Sequence, residues 1–216
     1  MQLKFSGIAI DTPCGRRILT IDEATLNCGI TALIGQNGVG KSTLLRTIFG
    51  LHPLTEGTIT LDNIDSRMHR QRFLVNAVFQ PQNFTAYPDL TGLEFLKYFL
   101  RLRGFSSKEA LIRASQWIAR VDLSDAANHL TSEYSQGMLQ RLGLAYALQS
   151  GAQLCVLDEP FAGVDPLARS QLSDLLADMA VERTILICTH HVEEMAERGA
   201  EIVSIDNNLW VSGVAA

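Results

Sequence analysis

Gly35-Gln36-Asn37-Gly38-Val39-Gly40-Lys41-Ser42 fits the pattern GxxxxGK[ST]. It follows a short apolar run at residues 30–34 and opens residues 41–49, where Leu44, Leu45 and Ile48 recur at helical spacing. Strand, glycine-rich loop and helix in this order make an anion site. The glycines let backbone N–H groups converge on phosphate oxygens, and the helix N-terminus adds roughly half a unit of positive charge. Lys41 supplies a full charge, and Thr43 carries the loop into the helix. The Ser42 hydroxyl suits Mg²⁺, a cation that favours hard oxygen donors and usually keeps several waters. A glycine-rich turn with a surface lysine is the bland alternative, and the flanking strand and helix argue against it.

A second apolar run, residues 154–157, closes on Asp158-Glu159. This places both carboxylates at the C-terminal edge of a parallel sheet, where open α/β folds bind ligands. Neighbours at a strand end point in different directions and therefore suit two roles. Asp158 can hold Mg²⁺, through water, while Glu159 orients or deprotonates an attacking water.

The remaining patterning predicts the sheet these motifs need. Residues 3–10 and 18–26 alternate with period two around Pro13 and Gly15 and read as an antiparallel hairpin. Residues 57–61 and 73–79 read as further strands. Residues 93–103, 108–121 and 136–148 read as amphipathic helices with no strand between them, a helical insert. From residue 154 the order returns to strand, helix, strand, helix, strand (154–157, 166–179, 183–188, 192–198, 202–205), the alternation of a parallel α/β sheet. Leu209–Ser212 is expected as a last strand.

With 216 residues, 47% of them hydrophobic, the chain can bury its own core as one domain or two closely joined lobes. A net charge of -5 gives no general attraction to phosphate polymers or anionic lipid, so nucleic acid is not expected as a main partner. Cys14, Cys28, Cys155 and Cys188 lie far apart without zinc spacing and are expected to be reduced, small core hydrophobes. No stretch approaches the ~18 to 20 apolar residues that cross a bilayer. The start, Met1-Gln2-Leu3-Lys4-Phe5, alternates like a strand rather than an export signal, so residence in the cytoplasm is expected.

Tyr134-Ser135-Gln136-Gly137-Met138, followed by Gln140-Arg141, lies just ahead of the acidic strand and resembles the signature, usually LSGGQ, of the ABC ATPase family. Pro81-Gln82 is similar to that family's glutamine loop, Phe161-Ala162-Gly163-Val164-Asp165 to its D-loop, and Thr189-His190 to its switch histidine. Gln82 is preferred over Gln80 because it falls five residues before Tyr87-Pro88-Asp89-Leu90-Thr91, a segment resembling the family's spacing. Six short motifs in the family's order cover nearly the whole chain.

The resemblance implies an α/β P-loop NTPase (RecA-like) fold: a mixed, largely parallel sheet, an N-terminal antiparallel β subdomain and an α-helical insert carrying the signature. It implies one domain over residues 1–216, with 1–81 and 152–216 as nucleotide-binding core and 82–151 as helical signature subdomain. Gly35, Gln36, Asn37, Gly38, Val39, Gly40, Lys41, Ser42 and Thr43 would bind ATP. Ser42, Gln82 and Asp158 would hold Mg²⁺, with Glu159 as general base and His190, Gln82 and Lys41 assisting. Ser135 and Gly137 would cap the γ-phosphate bound by a second ATPase subunit, identical or a close paralogue, and Asp165 would contact that subunit. A separate membrane permease would carry the solute and hold the chain at the cytoplasmic face of the membrane. Gly137-Met138 ahead of Gln140-Arg141 is similar to export-type members, an analogy that favours export.

Two features depart from the pattern or extend it. The hairpin loop, residues 11–17, lacks the aromatic residue that usually stacks on adenine, so Arg16 or Arg17 is the candidate for that role. Phe84, Tyr87, Phe95, Tyr98 and Phe99 gather after Gln82 in the region that receives the permease's short helices. Phe95 and Phe99, at i and i+4, are expected in the core, leaving Phe84 and Tyr87 as contact candidates. His191 is expected as an ordinary helix-start residue, and His52, His69 and His129 as surface or loop residues. The rival is a soluble ABC protein of translation or chromosome maintenance. Such proteins usually carry a second ATPase domain or coiled-coil arms. A P-loop kinase would leave the signature and D-loop unexplained.

Overall fold

The structure, a computed structural model, describes residues 2–213; Met1 of the strand-like start lies outside them. Among the described residues one ten-stranded sheet runs in the order β5-β4-β1-β2-β10-β9-β3-β8-β7-β6. Its parallel part comprises β9 (Glu201–Asp206), β3 (Gly29–Ile34), β8 (Thr184–Cys188), β7 (Leu154–Asp158) and β6 (Ala77–Gln80). Its antiparallel part joins β1 (Leu3–Asp11), β2 (Arg17–Leu26), β4 (Glu56–Leu61) and the two-residue β5 (Ile64–Asp65). β10 (Leu209–Ser212) links the two, antiparallel to β9 and parallel to β2.

The central strands are apolar on both faces, as parallel strands covered on both sides require. Ile30 and Ala32 of β3, Cys155 and Leu157 of β7, and Ile185 and Ile187 of β8 face one core. Leu33, Leu154, Val156, Leu186 and Cys188 face the other. The first core is filled by α3 (Gly92–Leu102), α4 (Ser107–Arg120), α5 (Gln136–Gln149), α6 (Pro166–Ala180) and α7 (Val192–Glu197). The second takes α1 (Lys41–Ile48), Phe73 of α2 (Arg70–Val75) and the inward residues of β1, β2 and β4.

Local signals explain where the inserted helices start. Thr91 and Glu94 form a reciprocal capping box on α3, and Ser106 and Glu109 form one on α4. Each satisfies two backbone donors that a helix start leaves open, worth about 1 kcal/mol per cap.

Two expectations are corrected. Residues 73–79 are not one strand: Arg70–Val75 is helical, and β6 begins at Ala77. The alternation of Phe73, Val75, Ala77 and Phe79 imitated a strand, yet Val75 is exposed while Phe73 is buried in the core. Asn76 ends the helix, and its carbonyl accepts the N–H groups of Gln153 and Leu154, which sets the register of β6 beside β7. Of the cysteines, Cys155 and Cys188 are core residues, but Cys14 and Cys28 are exposed. Those two lie in the loop after β1 and the bend before β3, outside both hydrophobic cores. Burial pushes the Cys155 thiol up to about 11. Among the described residues no helix is long and apolar enough to cross a membrane.

Candidate functional site

Strand register brings the motifs together. Asp158 pairs with Cys188, and Cys188 pairs with Leu33, so β7, β8 and β3 end nearly level. The chain beyond those ends supplies Glu159, Thr189-His190 and the glycine-rich loop at one sheet edge. A cavity of about 350 Å³ opens there, lined by Asn37, Gly38, Gly40, Lys41, Ser42, Thr43, Gln82, Asp158, Glu159 and His190.

The loop is clamped from beneath. Gly40 has φ 114°, and a Cβ on it would lie 2.7 Å from Ile18 Cγ2; Gly35 has φ 145°, with its Cβ 2.9 Å from the Ile205 carbonyl oxygen. Only glycine fits both the dihedrals and the space. Lys41 Nζ donates to the carbonyl oxygens of Gly35 (2.6 Å) and Gln36 (3.0 Å), arching the loop over its own ammonium. Leu44, Leu45 and Ile48 anchor α1 in the second core, so the helix end that faces the cavity is fixed by apolar packing.

The two carboxylates differ in surroundings. Asp158 is buried, which pushes its carboxyl above the usual range, opposed by a hydrogen bond from Ser42 and the charges of Arg46 and Lys41. Glu159 is also raised by burial, with His190 pulling it down, the Asp158 charge adding to the rise and Lys41 opposing. Its backbone has φ 49°, a left-handed conformation costing about 1 kcal/mol or more for a non-glycine residue. The ladder holds it there: Glu159 N–H donates to the Cys188 carbonyl at 2.9 Å. His190 Nε2 stands 3.2 Å from Glu159 Oε1, and the imidazole is otherwise well exposed. The geometry thus offers an acceptor for a water proton beside a cationic, donor-rich floor.

The other predicted residues lie outside the cavity lining. Ser135 caps α5, its hydroxyl accepting from Met138 N–H at 3.2 Å. The preceding Tyr134 is buried and donates to the Ala126 carbonyl at 2.7 Å. Gly137 abuts the segment after β7: a Cβ there would lie 2.4 Å from the Gly163 carbonyl oxygen. Asp165 is exposed, and its Oδ1 accepts from Ala168 N–H at 3.0 Å, capping α6 and holding its carboxyl below the ordinary range. Gly35, Gln36 and Val39 shape the loop without lining the cavity.

Gln82 faces the cavity, whereas Gln80 is wholly buried against α5. Phe84 is likewise a core residue, set edge-on to Phe95 at 5.9 Å, which corrects its reading as a surface contact. Tyr87 and Tyr98 are the exposed aromatics of that group, and Tyr87 stacks on Phe99 at 6.3 Å. His191 precedes α7 as expected. Sequence reasoning gave no part to Glu194, which accepts from Arg169 Nε (2.7 Å) and Ser173 Oγ (2.9 Å) and ties α7 to α6 behind His190. It also gave no structural part to Gln140. That residue occupies an apolar phase of α5 with Gly143, Leu144 and Ala147, a legible sign of a buried polar partner.

The family model described as ABC transporter matches residues 19–162. The chain is 34% identical over 186 residues to the Glutamine transport ATP-binding protein GlnQ of Escherichia coli (strain K12), covering 82% of this chain and 76% of that protein. It is 32% identical over 192 residues to ATP-binding cassette sub-family A member 2 of Rattus norvegicus, covering 88% of this chain. With the Retinal-specific phospholipid-transporting ATPase ABCA4 of Homo sapiens it shares 32% identity over 210 residues, 95% of this chain. The chain spans 8% and 9% of the length of those last two proteins. A solved structure described as that of an ATP binding subunit of an ABC transporter has the same fold, with a TM-score of 0.85 at 24% identity over 98% of this chain and 90% of the other. The order of the motifs, the convergence of four of them on one cavity and these likenesses agree: the chain belongs to the ABC transporter family and carries its ATPase domain.

Proposed function

We propose that the chain drives solute export through a separate membrane-spanning permease, as one of two ATPase subunits that close head to tail on two ATP molecules. The observation that carries this reading is the convergence of the phosphate loop, Gln82, the Asp158-Glu159 pair and His190 on one cavity. Export, rather than uptake, follows from the likeness of Gly137-Met138 and Gln140-Arg141 to export-type signatures. Within one domain over residues 1–216, the core segments 1–81 and 152–216 hold nucleotide and the segment 82–151 presents the signature.

The roles follow from position. Lys41 and the N–H groups of the loop and of α1 bind the β- and γ-phosphates. Glu159, raised by burial and aimed at the cavity, takes the proton of the attacking water, while His190 orients it and meets the γ-phosphate. The donor set also fits Mg²⁺: one hydroxyl, one buried carboxylate and one amide oxygen from Ser42, Asp158 and Gln82 are hard oxygens, too few for a cage without phosphate and water. Bound there with ATP, Mg²⁺ would neutralise phosphate charge. Ser135 and the helix start at Gly137 form a second anion site, away from the chain's own cavity, suited to the γ-phosphate held by a neighbour. Loss of that phosphate would loosen the pair, which turns hydrolysis into motion.

Purification from native membranes tests the partner. Co-purification of a hydrophobic polypeptide whose removal abolishes stimulated ATP hydrolysis is expected, whereas sedimentation with ribosomes instead would overturn the transport reading.

A further inference from the structure

We propose that Gln80 and Gln140 form a buried amide clamp that positions Gln82, joining α5 to the nucleotide cavity inside one chain. The inference rests on the reading of Gln82 as part of the nucleotide site. Gln80 and Gln140 are both fully buried. Gln80 Nε2 donates to Gln140 Oε1 at 2.8 Å and to the Gln140 carbonyl at 3.2 Å. Gln140 Nε2 in turn donates to the main-chain carbonyl of Gln82 at 2.5 Å. The orientation of both amides is forced, because turning either one would set oxygen against oxygen.

Stability alone does not account for this arrangement. Among the described residues Gln80 Oε1 finds no hydrogen-bond partner although it is buried, a penalty that an apolar side chain would avoid. Room for the clamp also depends on Gly143: a Cβ there would lie 2.9 Å from Gln80 Nε2 and 2.8 Å from Phe84 Cγ. Polar burial with an unfilled acceptor, beside a glycine whose Cβ would strike both Gln80 and Phe84, points to geometric specificity. What the clamp specifies is the Gln82 peptide. Pro81 fixes its own φ just ahead of Gln82, the Gln140 amide holds the Gln82 carbonyl, and the Gln82 side chain lines the cavity. Gln80 and Gln140 are thus positioning residues.

The test compares the purified chain with its membrane partner against Gln80→Leu/Gln140→Leu, Gln80→Met and, as control, Gln82→Ala. Replacing both amides removes the buried Gln80 oxygen but also the donor to the Gln82 carbonyl, so the melting temperature is expected to stay within a few degrees of that of the native protein. The double variant should lose about tenfold or more in kcat, change KM for ATP by less than about threefold, and need a higher Mg²⁺ concentration for half-maximal rate, the same shift expected of Gln82→Ala. Gln80→Met, which keeps the Gln140 bond to Gln82, should shift the Mg²⁺ requirement in the same direction by less. If the double variant or Gln80→Met folds but matches the native protein in kcat and Mg²⁺ requirement while Gln82→Ala does not, the clamp is refuted and the site stands. If Gln82→Ala also matches the native protein, the reading of Gln82 fails and the clamp with it.

Discussion

His190 Nε2 lies 3.2 Å from Glu159 Oε1 at the mouth of the cavity. The imidazole lowers the carboxyl pKa against a larger rise from burial. His190→Ala should therefore move the Glu159 pKa further upward, read as a ¹³C-carboxyl titration without nucleotide; no movement, or a fall, would contradict the pairing. A carboxyl whose folded pKa exceeds its unfolded value holds its proton more tightly in the fold. Its ionised form thus costs stability, and the cost grows as pH rises from the unfolded pKa through the folded one. Glu159→Gln should accordingly melt above the native protein near pH 7.5, with the gain vanishing below the ordinary glutamate pKa of about 4.3.

Gly137→Ala would set a methyl group 2.4 Å from the Gly163 carbonyl oxygen. The first turn of α5 and residues 161–165 would have to part, while the phosphate loop would be untouched. ATP affinity should change by less than about threefold and turnover fall by about tenfold or more, a loss of about 1.4 kcal/mol of transition-state stabilisation. Equal losses in both, measured by titration and steady-state kinetics, would count against a separate role for this contact.

Phe84 and Tyr87 should respond differently to alanine. Phe84 is buried against Phe95 and Tyr146, so its truncation should cost about 3–5 kcal/mol in denaturant unfolding. Tyr87 is 52% exposed and should leave stability nearly unchanged while lowering transport more than basal ATP hydrolysis. If Tyr87→Ala reduced both activities alike, its assignment to the permease contact would fall.

The hairpin loop predicts weak choice of base. Arg17, although exposed, is held along the strand pair by Asp11 Oδ1 at 2.5 Å and Thr20 Oγ1 at 3.1 Å, and Arg16 beside it is exposed as well. Without an aromatic platform, competition titration should place ATP and GTP within about tenfold, or about 1.4 kcal/mol, of each other. A much wider gap would require another base contact.

Most of the fold was legible because its signals are local. The apolar runs ending at Ile34 and Asp158, the glycines of the loop and the helical spacing after Lys41 state strand, turn and helix directly. Residues 73–79 misled because Phe73 and Ala77 are buried by different elements, and only the tertiary packing of α2 on β5 and β6 separates them. The site was legible as motifs but not as distances. Gln82 could be weighed against Gln80 from spacing, yet that Gln80 turns inward to Gln140, 60 residues away, is a product of packing. The same holds for Glu194 and Phe84.

The most direct test of the central claim is Glu159→Gln with saturating ATP and Mg²⁺, followed by turnover assay and size-exclusion chromatography with light scattering. The account predicts retained ATP binding, turnover lower by orders of magnitude and a stable dimer that falls apart when ATP is removed. Turnover equal to that of the native protein, or a monomer at saturating ATP, would contradict it.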